Sequence, residues 1–108
     1  MKKGLFKDLE DEMQFPEKGI FSKVLVKADN YDYTLMCLSA GTEIDEHTSS
    51  KDGVVVVLKG KGRFNLEGEK IEMKQGVFIS MPANSLHSLK AKENTAILIC
   101  LAESDKDV

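Results

Sequence analysis

At 108 residues and 12.0 kDa the chain is the size of one domain, and 42% apolar residues give it a globular composition. Fifteen basic against eighteen acidic side chains leave a net charge of -3, the wrong sign for a nucleic-acid binder. Only Arg63 among the basic residues carries the forked donor suited to gripping phosphate. Apolar runs such as Val54 to Leu58 are too short to span a bilayer as a helix. Lys7, Asp8, Glu10, Asp11 and Glu12 interrupt any apolar leader, so a cytoplasmic chain is expected.

Leu5, Leu9 and Met13 recur four apart and predict a short amphipathic helix or a packed arm over residues 4–14. Phe15-Pro16-Glu17-Lys18-Gly19 breaks the pattern. The expected division is therefore an N-terminal arm over 1–19 and a β domain over 20–108. Beyond Gly19, runs rich in Val, Ile, Leu and aromatics predict strands at 20–27, 31–39, 43–49, 53–59, 62–67, 69–74, 77–81, 86–91 and 95–102. Glu67-Gly68 joins two alternating segments and predicts a hairpin. Nine short strands without a helical pattern among them predict an all-β sandwich or barrel. Val54–Leu58 is apolar on both faces, which places it in a strand covered on both sides. Cys37 and Cys100 have no metal-type or redox-type spacing and read as small buried hydrophobes.

The chemistry rests on the only two histidines. His47 lies in Gly41-TEIDE-His47-Thr48-Ser49-SKD-Gly53-VVVVLK-Gly60, and His87 in Gly76-VFISM-Pro82-Ala83-Asn84-SL-His87. These two segments resemble the paired motifs of the cupin superfamily, G-x5-H-x-H-x3,4-E-x6-G and G-x5-P-x-G-x2-H-x3-N. The resemblance covers about residues 34–101 and is closest to small single-domain bacterial cupins. It implies a jelly-roll barrel, or double-stranded β-helix, with a pocket at its mouth. In metal-binding members three His and one Glu converge there. By this correspondence His47 matches the first ligand and His87 the last, while Ser49 replaces the second His and Gly53 the Glu. Asn84 stands at the second-motif glycine and Ala91 at its closing Asn.

Two imidazoles are too few strong donors for a tightly held transition metal. A regular strand would set Glu43, Asp45, His47 and Ser49 on one face, making Asp45 the candidate third donor. The pocket expected from parity and resemblance is lined by His47, Ser49, Val55, Val57, Met81 and His87. Lys51 and Asp52 read as a solvated turn beside the mouth. Tyr31, Tyr33 and Phe78 read as pocket walls or, more readily, as core or interface.

The function expected is the binding of a small polar molecule around His47 and His87. No cofactor is required, and any divalent metal (Zn, Fe, Mn or Ni) is expected at partial occupancy on His47 and His87. The alternatives are a divergent metal-dependent enzyme (dioxygenase, decarboxylase or isomerase) and a structural or partner-binding barrel with a vestigial pocket. No nucleic-acid or membrane partner is expected. The doubly apolar strand and the exposed sheet edges of an open jelly roll point to a homodimer.

Overall fold

The computed structural model describes residues 3–104. One helical turn, α1 (Leu9–Glu12), precedes β1 (Ile20–Lys27), β2 (Tyr31–Leu38), β3 (Glu43–His47), β4 (Asp52–Lys59) and β5 (Lys61–Leu66). β6 (Glu69–Lys74), β7 (Phe78–Met81), β8 (His87–Ala91) and β9 (Thr95–Ala102) complete the chain. All pairings are antiparallel, in a five-stranded sheet ordered β1-β2-β9-β4-β7 and a four-stranded sheet ordered β3-β8-β5-β6. The apolar runs gave the expectation of an all-β sandwich or barrel, and the jelly roll is the form that the family resemblance implies. No helix among the described residues is long and apolar enough to cross a membrane.

Strand alternation builds the core. Leu38, Val55, Val57, Ile79 and Ile97 from the first sheet pack against Phe64, Met73, Leu89 and Ala91 from the second. Phe64 is the largest side chain there, at 1% exposure. On the opposite face of the first sheet, Leu35, Cys37 and Ala96 form a smaller cluster. Burial pushes the Cys37 thiol up from its ordinary pKa, against a smaller downward pull from a backbone hydrogen bond with Gln14.

The N-terminal segment covers that second cluster, with a different periodicity from the one expected. Helix is confined to four residues, capped where Asp8 Oδ1 accepts the Glu10 N–H at 3.0 Å. Leu5 is 59% exposed, whereas Met13 and Phe15 both pack against the cluster, with Gln14 between them pointing to solvent. The period changes from four to two because an extended chain lays alternate side chains onto a flat sheet. A helix this short gains too few hydrogen bonds to offset its nucleation. Ion pairs from Glu12 to Lys23 and from Glu10 Oε1 to Lys59 Nζ (2.7 Å) fasten the segment to β1 and β4. The Lys23 hydrogen bond holds the Glu12 carboxyl below its usual range.

Two backbone positions shape strand connections, Asn84 beside the barrel mouth and Gly60 at the far end of β4. Gly60 has φ 101°, and a Cβ there would lie 2.4 Å from the Asn94 carbonyl oxygen. Asn84 has φ 69°, the left-handed conformation that Asn adopts more readily than other non-glycine residues. The hairpin at Glu67-Gly68 is present, with Leu66 paired to Glu69.

Candidate functional site

The site begins with an irregularity in β3. Glu43 pairs with Lys90 and Ile44 with Leu89, but His47 pairs with His87, so one extra residue is accommodated between Ile44 and His47. This is a β-bulge. In a regular strand Ile44 and His47 would point to opposite faces. With the bulge, both line the same cavity, while Asp45 and Glu46 are exposed and border a groove on the outer side with Lys90 and Asn65. Asp45 is therefore corrected as the expected third donor, since its side chain lies outside the cavity lining. β3 also ends at His47 rather than Ser49. Beyond it the chain turns, and the Asn84 N–H donates to the Ser49 carbonyl at 2.7 Å.

Cross-strand pairing brings the two imidazoles together, with ring centroids 4.1 Å apart and planes tilted by 59°. His87, 9% exposed, lies parallel to the Phe64 ring at a centroid distance of 6.0 Å. The rings share a local hydrogen-bond arrangement. His47 Nδ1 is 2.9 Å from the Asp45 carbonyl oxygen, and His87 Nδ1 is 2.9 Å from the Ser85 carbonyl oxygen. A carbonyl can only accept, so both Nδ1 atoms carry the proton. In the neutral imidazole each Nε2 then presents a lone pair. Neither Nε2 makes a hydrogen bond among the described residues.

Both rings line a cavity of about 220 Å³ between the two sheets. Its deep wall includes Val55, Phe64, Leu89 and Ile97, all buried, and its rim includes the exposed His47 and Pro82. Of the expected lining residues, His47, Ser49, Val55, Met81 and His87 reach it. Val57 does not. It shares the parity of Val55 but sits one repeat further along β4, packed in the core. Tyr31, Tyr33 and Phe78 are exposed and lie outside the lining. Lys51 and Ser85 were not anticipated as lining residues, although Lys51 continues the parity of Gly53 and Val55 to the mouth.

At position 53, a Cβ would meet Met81 Cε at 2.9 Å and Leu101 Cδ2 at 3.2 Å. The space around this position is thus filled by two apolar side chains, both of which line the cavity. Among the described residues, no group of three or more His, Cys, Asp or Glu side chains could hold a metal ion. The donor set does not fit a transition metal that needs at least three strong protein ligands.

The family model described as "Cupin domain" matches residues 34–102, the stretch from β2 through β9 that contains both histidines. The chain belongs to the cupin family. This cupin is 25% identical over 104 residues to an uncharacterized protein of Aquifex aeolicus, covering 94% of this chain and 85% of the relative. Among solved structures, a conserved Streptococcus pyogenes protein of unknown function matches with a TM-score of 0.84 at 27% identity, covering 97% of this chain and 92% of that one. KdgF from Halomonas sp. matches with a TM-score of 0.77 at 23% identity, over 90% of this chain and 94% of that one. The second of these structural likenesses speaks to the fold alone.

Proposed function

We propose that this cupin binds a small polar molecule in the cavity beneath His47 and His87, without needing a metal to do so. The observation that supports the reading is the pair of matched tautomers. Two adjacent imidazoles have Nδ1–H committed to backbone carbonyls, leaving two Nε2 acceptors beside an apolar chamber. A concave, mostly apolar space with a few placed polar groups is the usual form of a small-molecule site. A cavity of about 150 Å³ holds benzene, so 220 Å³ suits a ring or branched chain with a few further atoms.

A second reading, a divergent metal-dependent enzyme, has one observation in its favour. Histidines that ligate metals commonly donate their other ring N–H to a carbonyl, as both do here. It would require a third donor from the ligand itself, because the described residues supply none.

The test is a fragment screen by ligand-observed NMR on wild type, His47→Phe and His87→Phe, with chelator present throughout. Fragments that bind wild type and lose binding in both variants support the metal-free reading. Binding that appears only when Zn²⁺, Mn²⁺ or Fe²⁺ replaces the chelator supports the second. Fragments indifferent to both substitutions would overturn the assignment of the site.

A further inference from the structure

The cavity carries one charge with no partner. Among the described residues Lys51 is the only Lys or Arg that lines it, and no Asp or Glu does. Its side chain is half-buried and forms no ion pair among the described residues. The neighbouring acid, Asp52, lies outside the lining and is engaged elsewhere, its Oδ1 accepting the Ala83 N–H at 2.8 Å. A lysine at the mouth of a mostly apolar cavity, with no carboxylate in the lining, attracts an anion that enters it.

Ser49 adds to this corner. Its Oγ accepts the Lys51 backbone N–H at 3.2 Å, which leaves its own O–H available to donate. The connection between β3 and β4 therefore offers two donors to the cavity, the Ser49 hydroxyl and the Lys51 ammonium. It is anchored to the turn before β8 through Asn84 N–H to Ser49 O and through Ala83 N–H to Asp52. The paired strands β3 and β8 offer two acceptors, the Nε2 atoms. Val55, Phe64 and Ile97 supply an apolar floor.

From this polarity we infer that the ligand is a compact hydroxy acid. Its single carboxylate meets Lys51 and Ser49, its hydroxyl donates to the histidine pair, and its apolar body fills the floor. A hydroxyl suits the acceptor pair better than an ammonium, which would be repelled by Lys51. One ammonium matches one negative charge, and the absence of Arg from the lining removes the fork suited to phosphate. The inference rests on the small-molecule reading of the same cavity and adds the class of ligand.

Calorimetry with two matched series tests it. Each series keeps one body and removes one group at a time: mandelate, mandelamide and phenylacetate, then 2-hydroxy-4-methylpentanoate with its amide and its deoxy acid. In at least one series the hydroxy acid should bind about tenfold tighter than either analogue, the scale of a hydrogen bond to a charged group. Lys51→Gln should bring the hydroxy acid down to the level of the amide and leave the amide unchanged. His47→Phe should erase the difference between the hydroxy and deoxy acids. Amides that bind as tightly as the acids, or a Lys51→Gln variant that weakens both equally, would overturn the inference while leaving the cavity a binding site. No binding by any of the six at about 10 mM would overturn it as well. The NMR screen then decides separately whether the cavity binds anything.

Discussion

Returning the missing donors to the barrel provides a quantitative test of what replaced them. In Ser49→His/Gly53→Glu, the glutamate stem must enter space already held by Met81 Cε, 2.9 Å from the new Cβ, and by Leu101 Cδ2 at 3.2 Å. The methionine end is flexible and can swing aside, whereas the leucine must shift by a few tenths of an ångström. Overpacking of this kind costs about 1–3 kcal/mol, so the variant without metal should unfold at lower urea by that amount. Zinc should then reverse the loss. At a free concentration about 100-fold above Kd a ligand stabilises the native state by about 2.7 kcal/mol, nearly cancelling the steric cost. Wild type, with two imidazoles, should gain far less at the same zinc concentration. The assay is urea unfolding followed by circular dichroism, with zinc and with chelator. A variant that keeps its β spectrum yet gains no more from zinc than wild type would show that positions 49 and 53 do not face the histidine pair. A Gly53→Glu single variant as stable as wild type would show that Met81 and Leu101 do not fill the space.

Three further outcomes are expected. Phe64→Ala removes the largest fully buried side chain and the ring beneath His87, and should cost about 3–5 kcal/mol by urea unfolding. The Cys37 thiol, raised by burial, keeps its proton to higher pH in the native state than in the unfolded chain. Its contribution is therefore complete below the ordinary thiol value of 9.0 and lost as pH rises through the raised one. The wild-type urea midpoint should fall above about pH 9, and Cys37→Ala should lack that part of the fall. On the outer face of the edge strand β7, Phe78 is 65% exposed, and Val56 and Leu98 continue its row across β4 and β9. If the proposed homodimer uses this face, light scattering should give about twice 12.0 kDa for wild type and a monomer for Phe78→Glu.

The strands are legible in the sequence because alternation and turn residues are local signals. The motif glycines and the two histidines were equally visible, since their spacing survives in one dimension. What remained hidden depends on pairing between distant segments. No residue between Ile44 and His47 marks a bulge; it exists because Leu89 and His87 on β8 fix the partners on either side. Val57 was given the correct face but not its depth, which is set by how far the opposite sheet extends. Lys51 has the residue type of a solvated turn, yet its parity with Gly53 and Val55 is the better guide to its place at the cavity. In the N-terminal segment, a four-residue repeat of apolar residues was outweighed by the flat surface on which Met13 and Phe15 dock.

The bulge in β3 also makes the barrel tolerate changes of chain length unequally. It acts as a phase shifter: Asp45 and Glu46 together occupy one outward step, so the strand leaves the core in one phase and reaches the mouth in the other. Deleting Glu46 would restore plain alternation, with Ile44 and His47 still on the same face and His47 still opposite His87. Inserting a residue there would require a still larger irregularity or turn His47 out to solvent. Chemistry at the mouth and packing in the core are thus separately adjustable along five residues of one strand, and in this strand shortening is the safer edit.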